Sequence, residues 1–222
     1  MPSYRRDKEE IGKILKKGAL NELLKFRPRI LFNYLLPYLY SDSLELKWAA
    51  IKGIGLIASK ISENDMEYLR ILMRRFMWNL NDESGGIGWG SPEAMGEIMA
   101  SVDTIREEFI NILISYLMED WNYLEEERLR QGVIWAIGRI AKIDPSAVKD
   151  ASIYILKEME GSNDLLTKAL CIWVCGLLSI KRACKKIREM EDGIQMVEIF
   201  DDRLKVTTIA DLCKEAAERI GC

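Results

Sequence analysis

Histidine is absent from the 222 residues of this chain. Without histidine, a Ser-His-Asp or Cys-His catalytic pair, an HExxH zinc helix and a His-ligated catalytic metal are all excluded. No apolar run reaches the roughly 18–20 residues of a membrane span, and the N-terminal segment MPSYRRDKEE lacks the apolar core of a signal peptide. We therefore expect neither export nor a membrane anchor. These absences favour a non-catalytic protein and leave an enzyme as the alternative.

An excess of either charge is also missing, because 32 Lys and Arg residues face 35 Asp and Glu residues, for a net charge of −3. A chain without a positive field is expected to bind neither nucleic acid nor a membrane surface. Cysteine is odd in number and confined to the last quarter of the chain, at Cys171, Cys175, Cys184, Cys213 and Cys222. We predict five free thiols and a cytoplasmic location.

The spacing of Cys171 and Cys175 allows a shared metal with Cys184, but the repeat described next places the first two at core positions. We therefore expect no metal and no cofactor.

Two segments of the chain repeat one another without gaps. Residues 46–58, LKWAAIKGIGLIA, align with residues 129–141, LRQGVIWAIGRIA. Further copies lie between and after them, and the copies share a glycine column with steps of 38 to 42 residues. The column consists of Gly55, Gly96, Gly138 and Gly176. Because a glycine inside a helix costs roughly 1 kcal/mol relative to alanine, we predict that these four lie at contacts between neighbouring helices.

A second amphipathic stretch precedes each copy, which predicts helix pairs of about 40 residues. These stretches are residues 29–40, 66–80, 105–118 and 147–159. We predict an all-α fold, a right-handed α-solenoid of about five HEAT-like helix pairs in a single domain. Its predicted parts are an N-terminal cap at 1–27, repeats at 28–62, 63–102, 103–143 and 144–180, and a C-terminal cap at 181–222.

The periodicity changes from helical to alternating near the C-terminus. From Val197 to Thr208, apolar residues and threonine recur at every second position on either side of an Asp-Asp-Arg turn. This pattern predicts a small β-hairpin at 195–207, followed by a closing helix at about 209–220. A helix that runs through residues 204–208 is the alternative.

The segment DSLELKWAAIKGIG at residues 42–55, and the copy from Glu126 to Gly138, follow the pattern acidic-x-x-x-apolar-Arg/Lys-x-x-Ala-x-x-x-apolar-Gly. The pattern resembles the HEAT-like repeats of phycobilin lyase-type proteins over residues 28–180, and it implies an architecture without an activity. The segment NDESGGIGWGSPEAMGEI at residues 81–98 is similar to an uncharacterised HEAT-repeat family of anaerobic, sulfate-reducing-type bacteria. That resemblance implies no established function.

The second repeat departs from the others. By the 41-residue period its second helix should begin near Ser84, but SGGIGWG occupies residues 84–90 and the helix restarts at Ser91, the predicted N-cap, with Pro92 behind it. A helix N-terminus behind a glycine-rich loop is a potential anion site, although nearby acidic residues argue against phosphate. A turn that lets the next repeat pack is the alternative.

The tryptophans fall in register with the repeat and form a stripe of two columns, four residues apart on the helix face. One column holds Trp48, Trp89, Gln131 and Ala169, and the other holds Lys52, Glu93, Trp135 and Trp173. This stripe is either the contact between repeats or an aromatic groove bordered by charges such as Arg130.

We predict a non-catalytic HEAT-repeat module that binds a protein, a peptide or a small anionic ligand, as a monomer or a homodimer. The candidate contact residues are Trp48, Lys52, Glu83, Ser84, Gly88, Trp89, Glu93, Arg130, Gln131, Trp135 and Trp173. The first alternative is an enzyme on a HEAT-like scaffold, similar to bilin lyases or to DNA-alkylation glycosylases, the latter disfavoured by the acidic charge. The second alternative is a structural homodimer subunit that pairs through exposed tryptophans.

Overall fold

A computed structural model describes residues 2–81 and 88–222 and divides the chain into two compact units, Met1–Phe109 and Ile110–Cys222. The helices that begin in the first unit are α1 (Pro2–Lys17), α2 (Pro28–Leu35), α3 (Leu44–Ser62), α4 (Met66–Leu80), α5 (Ser91–Ser101) and α6 (Asp103–Ser115). Short 3₁₀ helices span Leu20–Lys25 and Leu36–Tyr40. Within the described residues, none of the helices combines the length and the apolar character that a membrane crossing requires.

The second unit contains further helices and the only strands of the described chain. Its helices are α7 (Glu127–Ala141), α8 (Ser152–Gly161), α9 (Leu165–Leu177), α10 (Cys184–Glu189) and α11 (Ile209–Ile220), with 3₁₀ helices at Pro145–Ala151 and Lys181–Ala183. The strands β1 (Met196–Asp201) and β2 (Arg203–Thr208) pair antiparallel. The predicted hairpin and closing helix are therefore confirmed, and the alternative of a helix through residues 204–208 is wrong.

In the first unit, helix pairs form where the apolar pattern predicts them. The hydroxyl of Ser43 caps α3 by accepting a hydrogen bond from the Leu46 amide, at 3.3 Å. Helix α3 then buries Ile51 and Ile54 and packs along α5. In the layer of preceding helices, the rings of Phe32 in α2 and Phe76 in α4 meet edge to face, with centroids 5.8 Å apart.

The start of α5 differs by one residue from the prediction. Gly90, not Ser91, is the N-cap residue, and its φ is +76°. A Cβ at Gly90 would lie 2.9 Å from the Cβ of Leu39 and 3.1 Å from the Leu39 carbonyl oxygen. The start of α5 is therefore in close contact with the 3₁₀ helix Leu36–Tyr40. Glycine permits both this approach and the left-handed backbone. The Ser91 hydroxyl is buried and has no hydrogen-bond partner within residues 2–81 and 88–222.

The predicted glycine contacts are confirmed at three of the four positions. A Cβ at Gly55 in α3 would lie 2.6 Å from the Cγ of Glu97 in α5, and one at Gly138 in α7 would lie 2.1 Å from the Trp173 ring in α9. A Cβ at Gly176 in α9 would come within 3.0 Å of the α11 backbone. The fourth glycine of the column is buried within α5. Glycine is therefore required where successive helices approach most closely.

The cysteine prediction is wrong in one respect. Cys184 and Cys222 form a disulfide that ties the start of α10 to the residue after α11, whereas Cys171, Cys175 and Cys213 are free and buried. The two cysteines are 38 residues apart, so no local sequence pattern predicts that they pair. The disulfide also removes Cys184 from any metal site with the two cysteines of α9. The cytoplasmic location stays a prediction, without the five free thiols on which it was based.

Candidate functional site

The candidate contact residues are distributed over both units, and each unit is described by itself. Glu83 and Ser84 lie outside the described residues. In the first unit the structure places Trp48, Lys52, Gly88, Trp89 and Glu93, and in the second it places Arg130, Gln131, Trp135 and Trp173.

Glu93 forms a largely buried ion pair with Lys47. Its Oε1 accepts a hydrogen bond from Nζ of Lys47 at 2.6 Å, and the two side chains are 8% and 12% exposed. Lys47 lies on α3 and Glu93 in the first turn of α5, so the pair joins successive repeats. Removing charges from water is costly unless they are paired, which makes this contact a determinant of how the two helices align.

Lys52 makes the equivalent contact one turn further along α3. Its Nζ lies 2.6 Å from Oε1 of Glu97, whose side chain is 3% exposed. The Lys52 side chain remains 26% exposed, and only its ammonium group is committed to α5. The two described candidate charges of the first unit, Lys52 and Glu93, therefore hold helices together.

The two stripe tryptophans of the first unit, Trp48 and Trp89, remain partly exposed. Trp48 stands beside the first ion pair, with its ring centroid 5.6 Å from Nζ of Lys47. Trp89 lies in the turn that leads into α5. The neighbouring Gly88 is buried, and a Cβ there would lie 2.9 Å from the Asn79 carbonyl oxygen at the end of α4. Gly88 is thus a packing residue, whereas both tryptophans are partly exposed.

The N-terminus of α5 offers little to an anion. The Ser91 amide donates to the Gly88 carbonyl at 3.0 Å, and Pro92 has no N–H group. The next side chain is the Glu93 carboxylate, which would repel an anion. The geometry therefore favours the packing turn over the anion site.

Arg130 in the second unit belongs to a buried polar cluster. Its Nε lies 3.1 Å from Oε2 of Glu158 in α8, and its Nη1 donates to the carbonyl oxygens of Leu124 and Glu125 at 2.7 and 2.9 Å. Its guanidinium also covers the Tyr123 ring at 4.8 Å. Burial, together with the Glu158 carboxylate, raises the pKa of Tyr123 to about 12. The cluster fixes the loop before α7 against α8.

The Gln131 side chain forms hydrogen bonds with residues at the start of α9. Its Nε2 donates to Oδ1 of Asp164 at 2.7 Å and to the hydroxyl of Thr167 at 3.1 Å. Asp164 is the N-cap of α9, and Thr167 also donates to Glu127 at 3.0 Å. Gln131 therefore acts as a helix-to-helix contact between α7 and α9.

Trp135 and Trp173 are buried, at 3% and 6% exposure. Nε1 of Trp135 donates to the Phe200 carbonyl in β1 at 2.7 Å, which anchors the hairpin. The Trp173 ring covers Gly138, and its Nε1 has no hydrogen-bond partner among the described residues. Both rings are therefore buried against neighbouring elements, Trp135 against β1 and Trp173 against α7, and whether the rest of the stripe is a contact between repeats or a groove stays a prediction.

Sequence reasoning missed the partners of the charged residues and two exposed tryptophans. Glu93 and Glu97 follow Lys47 and Lys52 by 46 and 45 residues, which is the repeat period plus about one helical turn. Trp78 and Trp121 are 74% and 73% exposed and lie outside the repeat register. Within residues 2–81 and 88–222, no group of three or more Cys, Asp or Glu side chains is arranged to hold a metal ion.

No protein-family model and no curated protein matches the chain. Solved structures do match, among them the following three. An engineered protein from the Northeast Structural Genomics Consortium is 14% identical, with a TM-score of 0.57 over 96% of this chain and 90% of its own. A second engineered protein from that consortium is 13% identical, with a TM-score of 0.52 over 97% and 92%. A designed armadillo repeat protein is 14% identical, with a TM-score of 0.51 over 96% and 92%.

At such identities the likeness shows the fold alone. The chain has a helical-repeat fold like that of the designed armadillo repeat protein, with a small antiparallel hairpin near the C-terminus, and the predicted all-α fold class is confirmed. The resemblances to phycobilin lyase-type proteins and to the family from sulfate-reducing-type bacteria are not confirmed and stay predictions.

Proposed function

We propose that the chain is a non-catalytic protein-binding module, and that the part of the tryptophan stripe in the first unit contacts a peptide segment of the partner. The observation that carries the proposal is the partial exposure of Trp48 and Trp89, in contrast to the buried Trp135 and Trp173. Tryptophan is enriched among the residues that contribute most to protein interfaces.

The charges around these tryptophans favour a peptide over a small anion. Lys47 and Lys52 are each neutralised by a glutamate of α5, at 2.6 Å in both cases. What remains is an aromatic surface over ion pairs that are already satisfied. Such a surface gains affinity from apolar and aromatic side chains rather than from phosphate or carboxylate groups.

A random twelve-residue peptide library displayed on phage, selected against the full chain, tests the proposal. We expect enriched peptides to contain apolar or aromatic residues and to lose roughly tenfold or more in affinity for Trp48→Ala and for Trp89→Ala. Trp121→Ala is the matched control, because that ring is exposed elsewhere, and its affinity should stay within about twofold of the wild type. Equal affinity for all three variants would exclude the surface.

The second candidate function, a structural homodimer subunit, is favoured by the exposure of Trp78, at 74%. This ring lies on α4, seven residues after the exposed Ile71, so the two share a helix face. Light scattering distinguishes this candidate, since a self-interface predicts a dimer mass that reverts to a monomer in Trp78→Ser.

A further inference from the structure

The hairpin of the second unit has two edges that differ in their surroundings. Ile209 N donates to Gln195 O at 3.1 Å, next to the register that pairs Met196 with Thr208. Because hydrogen-bonded and non-hydrogen-bonded pairs alternate along an antiparallel ladder, the backbone groups of Leu204 and Val206 point away from β1. Those of residues 196, 198 and 200 point away from β2 for the same reason.

The edge of β1 is occupied by the rest of the unit. The Phe200 carbonyl, which points outward from β1, accepts the hydrogen bond from Nε1 of Trp135 on α7. Lys142, just after α7, reaches Asp201 at 2.7 Å and also bonds to Asp202. Although burial lowers the pKa of Lys142, its hydrogen bonds to the two aspartates raise it overall. These contacts fix the hairpin by its first strand.

The edge of β2 has no such cover. Among residues 2–81 and 88–222, no side chain or backbone group outside the ladder bonds to Leu204 or Val206. Helix α11 follows β2 directly but packs chiefly on α9. A six-residue strand with an open edge is the geometry to which another strand adds.

The outward face of the hairpin carries exposed apolar residues, Val206 beside this edge and others on or before β1. Val206 and Met196 are exposed at 61% and 62%, and Ile194 at 83% just before β1. Val206 stands opposite Glu198, and Met196 is on the same face. A strand added at β2 would cover Val206 with its own apolar side chains at every second position.

A groove of about 440 Å³ lies on the other side of β2, between the strand and α11. It is lined by Lys205, Val206, Thr207, Asp211, Lys214, Glu215 and Glu218. Lys205 is bonded to Glu215 at 2.7 Å, which leaves two carboxylates against one ammonium group. Side chains of an added strand that enter the groove are therefore favoured when they are basic.

We propose that the β2 edge binds an extended segment of a partner protein by strand addition, with apolar residues against Val206 and basic residues toward α11. This surface lies in the second unit and is independent of the Trp48 and Trp89 surface. Backbone hydrogen bonds to Leu204 and Val206 supply the alignment, and the alternating side chains supply selectivity.

The test uses the full chain and a random eight-residue peptide library displayed on phage. Val206→Pro removes an outward-facing N–H group, which an edge strand tolerates, and Glu198→Pro removes the corresponding group of β1 as the matched control. We expect enriched peptides to alternate apolar and basic residues, to bind Val206→Pro at least roughly tenfold more weakly, and to bind Glu198→Pro within about twofold of the wild type.

Amide hydrogen exchange followed by NMR gives a second readout that does not depend on how the proline variants fold. Addition of an enriched peptide should slow exchange at Leu204 and Val206 and leave Lys205 and Thr207 unchanged, because only alternate amides face the new strand. The proposal is overturned if no enriched peptide protects these two amides, or if its affinity is the same for Val206→Pro. It is also overturned if they are protected without peptide in a dimer, since the occupant is then a second copy.

Discussion

Nζ of Lys47 lies 2.6 Å from Oε1 of Glu93, so the glutamate that the repeat register placed on the stripe joins α3 to α5. The same relationship recurs between Lys52 and Glu97. In the first unit the charged members of the stripe thus determine the alignment of repeats, and the aromatic members remain accessible.

Removing the charge of one partner of this ion pair should lower the unfolding free energy substantially. Glu93→Gln leaves the Lys47 ammonium group without its counter-charge in a mostly buried position, for which we expect a loss of about 3–5 kcal/mol in unfolding free energy. The double variant Lys47→Gln with Glu93→Gln should recover part of that loss. Urea unfolding measures both, and a loss below about 1 kcal/mol for Glu93→Gln would show that the pair does not hold the helices.

The glycine contacts predict a contrast between two positions. Gly138→Ala places a Cβ where the Trp173 ring lies, 2.1 Å away, and should destabilise the chain by about 1–3 kcal/mol. Gly161→Ala is the control, because nothing lies within 4 Å of a Cβ at the end of α8. Thermal midpoints should fall for the first variant and be unchanged or slightly raised for the second. A thermal midpoint of Gly138→Ala equal to that of Gly161→Ala would contradict the claim that Gly138 permits close packing.

The disulfide should contribute measurably to stability. It closes a loop over a sequence separation of 38 residues, and the chain-entropy model gives about 4 kcal/mol for a loop of that length. Reduction with dithiothreitol, or Cys184→Ser with Cys222→Ser, should lower the thermal midpoint, whereas Cys213→Ser retains the bond and serves as the control. Alkylation of the unfolded, unreduced chain should label three thiols, and five labels would contradict the bond.

Buried thiols predict a loss of stability at alkaline pH. Burial raises the pKa of Cys175 from 9.0 to about 12, so between those values the unfolded chain releases the proton and the folded chain retains it. The unfolding free energy should therefore decrease as pH rises above 9, by up to about 1.4 kcal/mol per pH unit for this thiol. Cys175→Ala should show a shallower decrease between pH 9 and 10, and an unchanged slope would contradict the assignment.

Features that depend on residues close together in the sequence were predictable, and features that depend on distant residues were not. The 41-residue period and the alternation after Val197 are local patterns, and they predicted the helix pairs and the hairpin. The Cys184 to Cys222 bond and the pairing of Lys47 with Glu93 depend on which helix faces meet, so the register alone placed Glu93 on the stripe without its partner. The burial of Trp135 was not predictable either, because it depends on a hairpin 65 residues further along the chain.

The division of the stripe into a buried part and an accessible part is tested most directly by the unfolding free energies of four tryptophan-to-alanine variants. Trp135→Ala and Trp173→Ala should each lose about 3–5 kcal/mol, because each truncates a buried ring. Trp48→Ala and Trp89→Ala should each lose less than about 2 kcal/mol, because their rings are already partly hydrated. Losses at Trp48 and Trp89 as large as those at the buried pair would show that these two are also core residues, and would contradict the proposed binding surface.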